Sequence, residues 1–274
     1  MTNVPDVALN DGTSMPQVGL GVFQVSNDAA SDAVQSALSA GYRSIDTAAV
    51  YRNEAGVGDG LRASSVPRDD AYVTTKLWND DQGYDSALGA FEASRARLGL
   101  DVIDLYLIHW PCPRQDRYVE SWRALISLRD RGLVRSIGVS NFTGENLRRL
   151  VDETGVAPAV NQVELHPRLQ QDELRRVHAE LGVATEAWSP LAQAQLLDDP
   201  LLGEIAAVHG VSAAQVILRW HLQLGNVIIP KSVTPSRIAA NIDLFGFQLS
   251  DDDMQAIRGL NRDARIGPDP REFG

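Results

Sequence analysis

Ala71-Tyr72-Val73-Thr74-Thr75-Lys76, then Asp85–Leu98, then Val102-Ile103-Asp104-Leu105-Tyr106-Leu107-Ile108-His109 carry the architecture in miniature. The first and third runs are short, apolar or β-branched, and read as buried strands. The segment between them has helical spacing. Ala87, Leu88, Phe91 and Leu98 fall near one face, while Glu92, Arg95 and Arg97 can face water. A strand, a helix and a second strand predict a parallel pair joined by a crossover.

The same unit recurs in both directions. Further candidate strands are Val18–Phe23, Tyr42–Asp46, Val134–Val139, Ala159–Glu164, Val183–Trp188 and Val227–Lys231. Helix starts are marked at Asn27-Asp28, at Thr143 with Glu145, and at Thr234-Pro235-Ser236. Eight strand–helix units predict a closed α/β barrel, the (β/α)8 or TIM barrel. The alternative is an open doubly wound sheet. It asks for G-x-G-x-x-G after the first strand, and Gly19-Leu20-Gly21-Val22-Phe23-Gln24 has only two of the glycines. Val7–Leu9, Asp11-Gly12 and Ser14–Gln17 read as an N-terminal β-hairpin, and Ser250–Leu260 as one extra C-terminal helix. Asn261–Gly274 is a short tail, which limits any specificity loop there. No linker divides the chain, so residues 1–274 are expected to form one domain.

Composition narrows the function. The chain has 274 residues, 25 Lys plus Arg and 36 Asp plus Glu, for a net charge of −11. Such a surplus disfavours nucleic acid and anionic membranes, but leaves room for a local anion pocket. Cys112 is the single cysteine, so no intrachain disulfide is available. Met1–Asn10 lacks a signal-peptide pattern, and no stretch approaches a membrane span. The expectation is a soluble cytoplasmic protein acting as a monomer.

In a barrel of this kind catalysis sits at the C-terminal strand ends. There the sequence places Asp46 with Tyr51 just beyond, Lys76, and His109. A buried lysine is costly unless paired, and Asp46 is its natural partner. An ammonium beside a phenol should lower the phenol's pKa toward a useful range. Asp46 would hold Lys76 charged, His109 would bond a carbonyl oxygen, and Tyr51 would protonate it. That suits reduction of a carbonyl. His166, His178, His209 and His221 lack metal-ligand spacing, so no metal is expected.

At these residues the chain resembles the aldo-keto reductase superfamily, and within it the bacterial 2,5-diketo-gluconate reductase-like branch. The matching stretches are Gly41–Ala48, Tyr51 with Asn53-Glu54, Thr74–Trp78, Asp104–Pro111, Ser136–Phe142, Asn161–Pro167 and Ile229–Val233. The resemblance implies a barrel, NADPH as cofactor, and a small-molecule carbonyl substrate. By match the catalytic tetrad is Asp46, Tyr51, Lys76 and His109. It also implies that Trp188 stacks on the nicotinamide and that Ser140, Asn141 and Gln162 hold its carboxamide. Gly21 joins the cofactor set, and Ser189 and Leu191 lie in the loop passing the pyrophosphate. Lys231, Ser232 and Arg237 match the 2′-phosphate site, and Asn241 the adenine contact. Phe23, Trp78 and Trp110 would line the substrate pocket. Relatives often carry glycine where this chain has Ala192 and Ala194, and some place an arginine where it has Thr234.

Two other functions stay open at this stage. Lys76 could act as a Schiff-base nucleophile in an aldolase, or the chain could be a non-catalytic nicotinamide-binding subunit.

Overall fold

The computed structural model describes residues 4–274. A hairpin of β1 (Asp6–Ala8) and β2 (Ser14–Pro16) leads the chain and turns at Gly12, whose φ of 88° suits glycine. Eight parallel strands follow: β3 (Gly19–Gly21), β4 (Ser44–Asp46), β5 (Tyr72–Leu77), β6 (Ile103–Ile108), β7 (Val134–Ser140), β8 (Val160–Glu164), β9 (Ala184–Trp188) and β10 (Val227–Ile228). They pair in chain order, and bridges from Val18 to Ile228 and from Gly21 to Lys231 join the last strand to the first. The barrel is therefore closed, as the eight units predict.

The outer helices are α1 (Asn27–Ser39), α2 (Glu54–Ala63), α3 (Tyr84–Leu98), α4 (Tyr118–Asp130), α5 (Gly144–Thr154) and α6 (Asp172–Leu181). The connection from β9 to β10 holds two helices, α7 (Pro200–His209) and α8 (Ala213–Gln223). Gly210, at φ 67°, ends the first, and a capping box from Ser212 to Gln215 starts the second. α9 (Pro235–Ile242) follows β10, and α10 (Asp251–Arg258) is the extra C-terminal helix. The cap of α1 falls on Ser26 instead of Asn27; the Asn27 side chain instead accepts from the Gly56 amide of α2.

Strand alternation sorts the side chains. Ile45, Val73, Tyr106, Ile108, Val163 and Ala187 point outward into the helix layer, with Val34, Phe91 and Trp122. Met15, Tyr72, Leu105, Leu107, Val160 and Val227 form a separate cluster that fills the lower barrel interior behind the hairpin. Gly138 keeps this packing close: an added Cβ would lie 2.6 Å from the Val160 carbonyl oxygen. The same alternation turns Asp46, Lys76, Gln162, Glu164 and Glu186 inward, above the apolar plug. Among the described residues no single helix is long and apolar enough to cross a membrane.

Candidate active site

A cavity of about 650 Å³ opens at the C-terminal ends of the strands. That is ample for a small ligand together with part of a larger one. Two other hollows, of about 470 and 440 Å³, lie among outer helices and loops; the smaller adjoins this cavity and shares Val50 and Trp78 with it.

The cavity floor is ionic. Lys76 is wholly buried; its Nζ donates to Asp46 Oδ1 at 2.7 Å and to the Thr47 carbonyl at 2.8 Å. Tyr51 ends a single 3-10 turn, Ala49–Tyr51, which Arg52 closes with φ 58°. Asn53 fixes that turn from behind. Its Nδ2 donates to the Val22 and Val25 carbonyls, each at 2.9 Å, and its Oδ1 accepts from Thr47 Oγ1 at 2.7 Å. Lys76 Nζ consequently lies 5.1 Å from the Tyr51 ring centroid. The His109 ring packs edge-on to Tyr51 at 5.8 Å and to Trp78 at 5.3 Å. All four tetrad residues expected from the sequence are thus together.

Their protonation follows from burial and neighbours. Burial is the largest influence on Tyr51 and holds its phenol above the usual value, although Lys76 pulls it down. The expectation of a lowered phenol pKa is therefore corrected: the ammonium is present, but burial outweighs it. Burial opposes the charge on Lys76, yet Asp46 overrides this and the amine stays above its ordinary pKa. Burial, followed by Lys76, pushes His109 well below its usual value, so the imidazole is neutral. Tyr51 therefore holds a proton and Lys76 holds a charge.

The residues matched to the nicotinamide form one hydrogen-bonded set. Ser140 Oγ donates to the Gln162 carbonyl at 2.8 Å, and Asn141 Nδ2 donates to the His109 carbonyl at 3.0 Å and to Ser140 Oγ at 3.1 Å. Trp188 Nε1 donates to Asn141 Oδ1 at 2.8 Å. These four groups line the cavity with Gly21, Ser189 and Lys231. Leu191 does not; its side chain packs on the core, so only its backbone can serve the loop. Arg237 Nη2 donates to Thr234 Oγ1 at 2.7 Å, while Ser232 and Asn241 are nearly buried beside it at α9. Lysine occurs only twice in the whole chain, as Lys76 and Lys231.

Phe23, Trp78 and Trp110 line the cavity as expected. So do Ile266, Gly267 and Pro268. The tail is short, but it crosses the barrel mouth, which corrects the expectation of a limited role. Its anchor is Glu164, wholly buried, which accepts from the Ile266 amide at 2.6 Å, the Gly267 amide at 2.9 Å and His166 Nε2 at 3.0 Å. Phe273 then packs on Trp110 with centroids 4.6 Å apart. Gly267 is required there, since a Cβ would collide with the Trp188 ring.

Glu186 also escaped the sequence reading. It lies between the cavity floor and the apolar plug, bonded to Gln162. The signal existed: a charged residue inside the apolar run Val183–Trp188, the argument that singles out Lys76. The remaining histidines have structural partners: His178 with Asn161 and Thr185, His209 with Asp253, His221 with the Pro190 carbonyl. Among the described residues no three His, Cys, Asp or Glu side chains gather as a metal site. Burial raises the Cys112 thiol to about 12, which leaves it unreactive.

The comparisons agree with this geometry. Residues 15–262 match the Aldo/keto reductase family. An aldo-keto reductase of Mycolicibacterium smegmatis is 58% identical over 269 residues, 98% of each chain. The methylglyoxal reductase DkgA of Escherichia coli is 50% identical over 100% of each chain, and the glyoxal reductase of Bacillus subtilis 53% identical over 97% of this chain and 96% of its own. A crystal structure of a Gox0644 variant in complex with NADPH superposes with a TM-score of 0.96 at 50% identity, covering 99% of both chains. A Bombyx mori aldo-keto reductase in complex with NADP gives 0.92 at 38% identity, covering 100% of this chain and 98% of its own. With the closed barrel, the tetrad and these relatives in agreement, the chain belongs to the aldo/keto reductase family.

Proposed function

We propose that the protein reduces small neutral aldehydes, ketones and dicarbonyls to alcohols with NADPH, and that Tyr51 delivers the proton. The observation that carries this is the wholly buried Lys76–Asp46 pair beneath a protonated Tyr51. Bound NADPH supplies a hydride to the carbonyl carbon. Neutral His109 donates a hydrogen bond to the carbonyl oxygen and orients it. Tyr51 passes its proton to that oxygen as charge develops there, and Lys76 offsets the phenolate left behind. Asp46 keeps the ammonium in place.

The Gln162 amide oxygen is left to accept from a carboxamide N–H, with Ser140 and Asn141 beside it, and Trp188 offers a ring face to a planar group. The Gly21, Ser189 and Leu191 segments pass the pyrophosphate. Lys231, Ser232 and Arg237 fit the 2′-phosphate, and Asn241 the adenine. Phe23, Trp78 and Trp110 suit a substrate with little charge, and no arginine among the described residues lines the cavity. The names of the Escherichia coli and Bacillus subtilis relatives, methylglyoxal and glyoxal reductase, support small dicarbonyls as substrates.

An aldolase role for Lys76 is disfavoured, because Asp46 keeps its amine protonated and without a free lone pair. A purely binding role is disfavoured by the complete tetrad. We also read residues 1–274 as one domain working as a cytoplasmic monomer, so sedimentation should give the mass of a single chain.

The test is Tyr51→Phe. Reduction of methylglyoxal should fall by about 10²–10⁴-fold while NADPH still quenches tryptophan fluorescence with unchanged affinity. Full activity in that variant removes Tyr51 as the donor.

A further inference from the structure

Glu186 has no part in the chemistry above, yet it is wholly buried and bonded into it. It sits mid-strand on β9, in register with Gln162 on β8 and Val227 on β10. Its Oε2 lies 2.9 Å from Gln162 Nε2, and the same nitrogen lies 2.8 Å from Asp46 Oδ2. A primary amide nitrogen has two hydrogens, and two carboxyl groups here take both. The Gln162 oxygen is left as the polar atom for a ligand in the cavity. Glu186 Oε1 has no hydrogen-bond partner.

We propose that Glu186 is a positioning residue for the nicotinamide site: it anchors the second hydrogen of the Gln162 amide, and its own ionisation sets the negative charge beneath the redox-active ring. This rests on NADP(H) occupying the cavity as read above.

The charge argument is direct. Asp46 and Lys76 balance each other, so an ionised Glu186 leaves a net negative charge in a buried interior. Charged and titratable groups that face it are Asp46 on β4, Tyr51 beyond that strand, and Tyr72 and Lys76 on β5; its β10 neighbour is the apolar Val227. Burial, then Asp46, raises its carboxyl to about 8, against the opposing pull of the Gln162 bond and Lys76. Near neutral pH it is protonated, and its carbonyl oxygen still accepts from Gln162. Above that it ionises.

The oxidised nicotinamide is a cation and the reduced one is neutral. Ionised Glu186 therefore favours NADP+ over NADPH, and by reciprocity NADP+ lowers the Glu186 pKa. The phosphates are common to both nucleotides, so their own titration cancels in the ratio of the two affinities.

The experiment measures Kd for NADP+ and for NADPH by tryptophan fluorescence between pH 6.5 and 9.5, in wild type and in Glu186→Gln. In the wild type the ratio Kd(NADP+)/Kd(NADPH) should fall by about fivefold or more across that range. In Glu186→Gln, which keeps an acceptor oxygen but cannot ionise, the ratio should stay flat across that range. Parallel pH dependences in the two proteins, with both nucleotides bound, overturn this proposal alone. Failure of the wild type to bind either nucleotide overturns the cofactor reading and this proposal with it. Infrared difference spectra give a second measure that needs no variant. At pH 8 a protonated-carboxyl band should be lost when NADPH is exchanged for NADP+, and an unchanged band counts against Glu186.

Discussion

Replacing Ala194 by glycine should stabilise the protein, although glycine usually destabilises. The loop after β9 holds four non-glycine residues in left-handed backbone: Ser189 at φ 48°, Ala192 at 50°, Gln193 at 52° and Ala194 at 68°. For an L-residue this conformation costs about 1–2 kcal/mol, because Cβ crowds the following carbonyl. Glycine escapes that crowding but has more unfolded-state freedom to lose, about 0.5–1 kcal/mol. Ala194 is exposed, so its methyl contributes no burial and the net gain is about 0.5–1 kcal/mol. Ala192 differs: it is only 2% exposed and packs in the core. Losing its methyl costs about 1 kcal/mol, which cancels the relief and leaves Ala192→Gly near neutral. Urea unfolding monitored by circular dichroism gives both values, and the slopes should stay equal. Ala194→Gly less stable than wild type, or Ala192→Gly the more stabilising of the two, refutes the left-handed backbone at these residues in solution.

Two further outcomes follow from the charges. The Glu186 carboxyl titrates near 4.5 in a solvated chain and near 8 in the fold. Below about 4.5 both states are protonated and nothing is lost; between the two values only the unfolded chain ionises, so wild-type stability falls as pH rises. Glu186→Gln lacks this loss, so its unfolding free energy should exceed wild type by an amount that grows from pH 5 to pH 8, at up to about 1.4 kcal/mol per pH unit. A constant difference in urea unfolding at pH 5, 6.5 and 8 contradicts a raised pKa. Lysine-directed labelling at neutral pH should modify exposed Lys231 and spare buried Lys76, and NADPH should protect Lys231, as read by peptide mass mapping. Labelling that NADPH does not slow removes Lys231 from the phosphate site.

The parts legible in the sequence are those where a residue type conflicts with its surroundings. Lys76 at the end of an apolar strand can be tolerated only with a partner, so the pattern itself points to Asp46. The depth of the pair was not legible, and depth decides the sign of the Tyr51 shift, because burial outweighs a neighbouring charge that the sequence does reveal. Glu186 sits mid-strand on β9, away from the strand end at Trp188-Ser189 where barrel chemistry gathers, although the alternation of the strand turns it inward with Trp188. The tail had no local signal at all. Its course depends on Glu164 meeting the Ile266 and Gly267 amides about a hundred residues later, which no spacing rule encodes. The acidic surplus becomes informative only with the ion pairs in view. Arg62, Arg95, Arg117 and Arg149 are each paired with nearby carboxylates. Among the described residues Lys231 and Arg237 form no such pair, and Arg237 rests on the neutral Thr234 hydroxyl. In a chain with net charge −11, where carboxylates outnumber cations, a lysine that lines the cavity without a carboxylate of its own is a position that an anionic ligand would complete.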